Sequence, residues 1–200
     1  MCLETLCVKS GQICNVTYHD ARFNTTRKNL FNITKFESLN ELVNIPTNLD
    51  TDKIYRCRIL YNEKIELVEF IPYTEKVIRK IKLVSVPSDF NYSYKWADRS
   101  FFSKLLANNA EADEVLMVQN GCITDCTIAN VAFFDGANWY TPSTPMLCGT
   151  RRAKLLETKS IKPIKILVTD LPKFNEVVLI NTFRDLNHEK AIPVSDIIGI

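Results

Sequence analysis

A lysine among aromatic residues, an acid between two cysteines and a glycine-threonine pair ahead of a short run are the places in this chain where residue type and spacing could do chemistry. Lys95 lies in NYSYKWADR, flanked by Tyr92, Tyr94 and Trp96. An apolar setting disfavours an ammonium and leaves an amine able to attack a carbonyl and form a Schiff base. The ordinary alternative is a solvated charge, the usual state of the chain's 25 lysines and arginines. Asp125 sits in TDCTIAN between Cys122 and Cys126. By itself it reads as a turn or strand-end aspartate bonded to backbone. Gly149-Thr150 precedes residues 151–157, which read as a helix. Backbone N–H groups at such a junction suit an anion such as phosphate, although many helices start after a glycine and bind nothing. Asn130 fits a structural role, its amide bonding the loop backbone. Arg151 and Arg152 either face solvent or offer one guanidinium to a substrate carboxylate.

The elements that must position these residues read as α+β. Residues 3–8 and 13–18 are strand-like runs joined at Ser10-Gly11, and a helix follows from His19 to about Leu30 with Phe23, Leu30 and Phe31 on one apolar side. Residues 37–43 read as a short helix, and 53–61, 65–72 and 77–86 as strands. Pro87-Ser88-Asp89 breaks the pattern and predicts a boundary, giving domains 1–88 and 89–200. Beyond it come a helix over 99–109, then short strands over 115–118, 131–134 and 139–141, turned at Asn120-Gly121 and Asp135-Gly136. Strands over 164–168 and 177–180, with 170–174 as a link, complete the set.

Composition narrows the function classes. A net charge of +2 with scattered cations does not suggest nucleic acid. No apolar run is long enough to span a bilayer, and the start MCLETLCVKSG has no signal-peptide layout. Seven cysteines and two histidines, without paired CxxC motifs, indicate neither a disulfide framework nor a zinc site. The expectation is a cytoplasmic protein with reduced thiols, no metal and no membrane partner.

Taken in order, the strand, acid, small residues, Asn130, strand, Asp-Gly turn, Tyr140-Thr141-Pro142 and Gly149-Thr150-Arg151 helix start resemble the class IV aminotransferases. These are fold-type IV pyridoxal-phosphate (PLP) enzymes that include branched-chain and D-amino-acid aminotransferases and 4-amino-4-deoxychorismate lyase. The resemblance runs from Leu3 to about Pro193. It implies a two-domain fold of the D-amino-acid aminotransferase type, shortened at the N-terminus, with PLP in the cleft between the domains and a homodimer as the assembly. Lys95 would be the PLP-bearing lysine and the base that moves the substrate proton. Asp125 would stand where the family commonly has a glutamate on the pyridine nitrogen, one methylene shorter here. Arg22, in His19-Asp20-Ala21-Arg22, resembles the family's phosphate-contacting arginine, otherwise an exposed helix arginine. Thr150 matches the phosphate-binding helix start. Asn181-Thr182 matches another phosphate-side loop, or is simply a strand-end turn.

The resemblance also bears on the reaction. Thr5 in CLETLCV stands where the lyases carry a threonine that helps deliver a proton, while Glu4 beside it is the aminotransferase-like residue. Without the family, Thr5 is only a β-forming residue in an edge strand. The glycine-rich segment that branched-chain enzymes carry after their lysine is WADRS here. The expected function is a lyase converting 4-amino-4-deoxychorismate to 4-aminobenzoate and pyruvate. The alternatives are an amino-acid aminotransferase and a relative that keeps the fold without catalysis.

Overall fold

The computed structural model describes residues 1–199. The chain forms two units: unit 1 is Met1–Glu75 with Tyr94–Asp98, and unit 2 is Lys76–Ser93 with the chain from Arg99 onward. The single boundary expected near residue 88 is thus replaced by three crossings. Local packing explains the return visit. Phe90 stacks on Phe101 at 3.8 Å and Tyr92 meets Phe102 edge-on at 4.6 Å, which holds that stretch in unit 2. Three residues after Tyr92, Lys95 C=O accepts from Leu3 N at 2.8 Å, and Ala97 N donates to Met1 C=O at 3.1 Å, which ties 94–98 to the start of unit 1.

Unit 1 runs β1 (Cys2–Lys9), β2 (Gln12–Ile13), α1 (Val16–Phe31), α2 (Leu39–Leu42), β3 (Ile54–Tyr61) and β4 (Ile65–Pro72), with sheet order β2-β1-β3-β4 and every pair antiparallel. Ser10 and Gly11 both take positive φ, 49° and 69°, as a tight hairpin requires. The strand expected over 13–18 stops after Ile13. Asn15 adopts the left-handed conformation (φ 53°), and Val16-Thr17-Tyr18 become the first turn of α1. Their β-propensity is overridden by the cap, because a short polar residue tolerates that conformation and redirects the chain. Alternation puts Cys2, Leu6 and Val8 of β1 with Tyr55, Cys57, Ile59 and Tyr61 of β3 on one buried face, covered by Phe23 of α1 and Leu39. Phe23 and Tyr61 pack at 4.8 Å; burying each such ring contributes roughly 1.5–3 kcal/mol.

Unit 2 adds β5 (Ile81–Ser85), α3 (Ser100–Ala107), β6 (Glu114–Gln119), β7 (Cys122–Cys126), β8 (Asn130–Phe134), β9 (Trp139–Pro142), α4 (Thr150–Glu157), β10 (Lys162–Ile164), β11 (Glu176–Ile180) and β12 (Ile192–Pro193). They form a three-stranded sheet, β5-β6-β7, and a five-stranded one, β10-β9-β8-β11-β12. Asn120 and Gly121 (φ 52° and 76°) make the predicted turn between β6 and β7. β7 then feeds β8 through a tight turn closed by Cys126 N donating to Ala129 C=O at 2.9 Å, so one continuous stretch passes from the first sheet to the second. Leu116, Ile123, Val131, Phe133, Ile166, Leu171 and Val177 build the core beneath it. The strand expected over 164–168 is only the end of β10; a 3₁₀ turn, Val168–Lys173, takes over.

Candidate functional site

The residues with chemical promise fall into two groups, one in each unit. In unit 1, β1 supplies Glu4 and Thr5, α1 supplies His19 and Arg22, and the returning segment supplies Lys95. Glu4 lies on the apolar face of β1 and is fully buried. Sequence reasoning noted it only as an aminotransferase-like residue beside Thr5 and did not foresee its burial or its partners. The signal was present: an acid alternating in register with Cys2, Leu6 and Val8 cannot remain inside without a partner. Its partners come from α1, where residues three apart share a face. Arg22 donates through Nε to Oε1 and through Nη2 to Oε2, both at 2.7 Å, and His19 Nδ1 donates to Oε2 at 2.9 Å. Burial alone would raise the Glu4 carboxyl, but the paired guanidinium and the imidazole outweigh it and hold it at about 2. His19 is pushed below its ordinary value of 6.5 by burial, against the pull of Glu4, and the charges of Arg22 and Lys95 add to the fall. A neutral, Nδ1-protonated His19 follows. Arg22 is therefore not an exposed helix arginine; one edge of its guanidinium is committed to Glu4.

Lys95 is half-buried. Of its three expected aromatic neighbours, Tyr94 and Trp96 stand together at 5.9 Å within unit 1, whereas Tyr92 belongs to the Phe90–Phe102 cluster of unit 2. At Thr5 the strand β1 is paired on one side, with β3, because β2 reaches only Val8 and Lys9. β1 lies between β2 and β3, and Thr5 stands opposite Arg58, which pairs with Glu69 at 2.6 Å. Thr5 and Leu3 share one face of β1 by alternation, and Leu3 is the residue bonded to the Lys95 carbonyl.

In unit 2, Asp125 lies within β7 rather than in a turn and is 4% exposed. Asn130 Nδ2 donates to its Oδ1 at 2.7 Å, and Leu147 N donates to Oδ2 at 2.9 Å. Burial pushes Asp125 up to about 6, with the Leu147 and Asn130 donors and the nearby Arg152 charge acting the other way. The Leu147 contact sets this acid beside the loop that leads to α4. Gly149 is the N-cap and offers no side chain, and Thr150, buried, is the first helical residue. The amide groups of a first helical turn lack intrahelical acceptors and concentrate positive potential there. Arg151 and Arg152 do not simply face solvent: Arg152 is buried and donates to Pro142 C=O at 2.9 Å, and Arg151 pairs with Asp185 at 3.0 Å.

Asn181 closes its own turn. Its Oδ1 accepts from Phe183 N and Arg184 N, and its Nδ2 donates to Ile128 C=O at 3.1 Å. The loop carrying Asn181 and Thr182 is in this way tied to the turn after the acid, and through Arg151–Asp185 to α4. Glu114, buried at the start of β6, accepts from Val115 N and from Thr127 N at 3.1 Å and so braces that same turn. Among the described residues no cluster of three metal-ligating side chains occurs, and no helix is long and apolar enough to cross a membrane.

This α+β arrangement, with a lysine-bearing segment on one unit and a buried acid joined to a helix start on the other, is the fold of the fold-type IV aminotransferase-like proteins. The family model described as amino-transferase class IV matches residues 1–188, and the chain belongs to that family. It is 36% identical over 185 residues to an uncharacterised protein of Haemophilus influenzae, covering 92% of this chain and 97% of the relative. The crystal structure of a protein provisionally named 4-amino-4-deoxychorismate lyase, from Haemophilus somnus 129PT, superposes with a TM-score of 0.84 at 33% identity, covering 92% of this chain and 97% of that one. A hypothetical aminotransferase of Mycobacterium tuberculosis, in its PLP-bound form, shares the fold with a TM-score of 0.74 at 20% identity, covering 99% of this chain and 81% of that one.

Proposed function

We propose that this chain is a PLP-dependent enzyme that converts 4-amino-4-deoxychorismate to 4-aminobenzoate and pyruvate. The observation that carries the cofactor reading is the hydrogen-bonded union of a buried acid, Asp125, with the loop that opens α4. PLP carries a basic ring nitrogen and a dianionic phosphate, and the residues present suit both ends. Asp125, at about 6, can hold a proton against a ring nitrogen near neutral pH. The amino end of α4 with the Thr150 hydroxyl suits phosphate oxygens, and the guanidinium of Arg22 adds a planar cation. When bound, PLP withdraws electrons from the carbon that carries the substrate amine, so that the proton there becomes acidic.

The chain's own residues then divide the work. Lys95 Nζ would hold the cofactor and would act as the base for the proton on the ring carbon that bears the substrate amine. Loss of that proton would expel the enolpyruvyl oxygen; the Thr5 hydroxyl would relay to it the proton taken by Lys95, and the enolpyruvate released would tautomerise to pyruvate. The ring becomes aromatic, so the step runs strongly downhill and tolerates an acid one methylene shorter than the family's glutamate. Support for the lyase over its alternatives comes from Thr5 and from the likeness, over nearly both full lengths, to the Haemophilus somnus protein.

The second reading, an amino-acid aminotransferase, draws on Glu4 and on the aminotransferase fold shared with the Mycobacterium tuberculosis protein. Two experiments decide between these readings and a non-catalytic relative. Added PLP should give the wild type an absorbance band that borohydride fixes to Lys95 and that Lys95→Ala lacks; a colourless wild type sinks the enzymatic reading. Pyruvate released from 4-amino-4-deoxychorismate without any keto acid supports the lyase, and a strict need for a keto acid supports the transaminase.

A further inference from the structure

Asn130 opens β8, and its carboxamide meets three parts of unit 2. Nδ2 donates to Asp125 Oδ1 at 2.7 Å and to Leu147 C=O at 2.8 Å. The other end of the amide lies against Gly149: a Cβ placed on that residue would stand 1.9 Å from Asn130 Oδ1 and 3.1 Å from its Cγ. Gly149 has φ −71° and ψ 146°, an extended geometry open to any L-residue. Backbone freedom is therefore not why a glycine stands here. The position needs room, and the Asn130 amide fills it. The following residue, Thr150, begins α4. One side chain thus touches both the buried acid and the residue that caps the helix.

We infer that Asn130 is a positioning residue: it sets the separation between Asp125 and the amino end of α4, and Gly149 is the space its carboxamide requires. The role rests on the reading above, in which these two places serve the ring nitrogen and the phosphate of PLP. The ring nitrogen belongs to a rigid ring and the phosphate to a short arm on it, so the protein must hold their two receptors within a narrow range of separation. A side chain wedged between the receptors does this directly. A misplacement of about 1 Å in such a site can cost on the order of a hundredfold in rate.

A double-mutant cycle on the cofactor-free protein tests the interlock. Gly149→Ala expels the amide from its seat, so it should lower the thermal midpoint much as Asn130→Ala does. In the Asn130→Ala background, Gly149→Ala should cost nothing more, because the space is already vacant. Equal cost in both backgrounds overturns the interlock. Asn130→Ser, which keeps a small polar group, serves as the background should the alanine variant fail to fold.

The positioning role is read with PLP. Asn130→Ala and Gly149→Ala should each raise the dissociation constant for PLP by about tenfold or more. At saturating PLP labelled with ¹⁵N in the ring, both should also move the nitrogen resonance from its wild-type position, a change that mere loosening of the fold would not produce. An unchanged resonance and affinity in both variants overturns the positioning role while leaving the interlock standing. A wild type that binds no PLP overturns the cofactor reading and the positioning role together, and the cofactor-free cycle still decides the interlock.

Discussion

Glu4 in unit 1 and Asp125 in unit 2 are both acids sealed from water, yet their surroundings drive them in opposite directions. Glu4 receives a two-pronged guanidinium and an imidazole, and it is held at about 2. Asp125 receives amide donors from Leu147, Asn130 and Met146 with the Arg152 charge nearby, and burial carries it up to about 6. Amide dipoles satisfy a buried carboxylate's lone pairs without supplying the opposite charge that offsets desolvation; a bonded guanidinium supplies both. Glu4 is accordingly an anion at neutral pH that fastens α1 to β1. Asp125, raised by burial to about 6, is the one of the two whose charge responds to pH not far from neutrality.

The sharpest way to break this contrast is to remove Glu4. Glu4→Ala leaves Arg22 and His19 facing an empty apolar site, and stripping one partner from a buried ion pair costs about 3–5 kcal/mol. Urea unfolding of the variant should show that loss. The folded-state value of Glu4 lies below its ordinary 4.5, so its share of stability is complete above that pH and disappears as pH falls toward 2. The wild type should weaken more steeply along that acid limb than the variant, which keeps only the slope of other carboxyls held low, such as Glu37 and Asp113; equal slopes would overturn the assignment to Glu4.

Asp125 should show the reverse dependence. Its folded-state value, about 6, lies above the ordinary 3.8, so folding favours the protonated form. The cofactor-free protein should lose about 3 kcal/mol as pH rises from below 4 to beyond 6, since a tenfold difference in proton affinity between the folded and unfolded chain is worth about 1.4 kcal/mol. Asp125→Asn should abolish that slope, whatever its absolute stability. A smaller change is expected at Arg152, whose charge draws Asp125 down. Arg152→Gln should move the Asp125 midpoint still higher, read from its carboxyl carbon resonance during titration; a downward shift would contradict the assigned interaction. The least effect should come from Arg151→Ala. Asp185 is 63% exposed, so the pair it forms is worth about 0.5 kcal/mol or less, within reach of careful denaturant titration.

Residue order alone was enough to determine the strand over 3–8, the Asn120-Gly121 turn, a helix following Gly149-Thr150 and the family to which the chain belongs. These are local or linear properties: strand period, turn conformation and motif order survive in one dimension. Other features needed the third dimension. The turn at Asn15 gave 16–18 to a helix because the left-handed cap outweighs the strand preference of three neighbours. The segment 94–98 joined unit 1, although 89–93 stayed in unit 2, because bonds to β1 and ring packing on α3 compete residue by residue. Glu4, missed as a site residue, becomes one only when β1 meets α1, 15 and 18 residues on. Arg151, Arg152 and Gly149 likewise have their meaning from partners distant in sequence, Asp185, Pro142 and Asn130. Charge and space are set by what packs against a residue, and a sequence displays neighbours along the chain, not those across it.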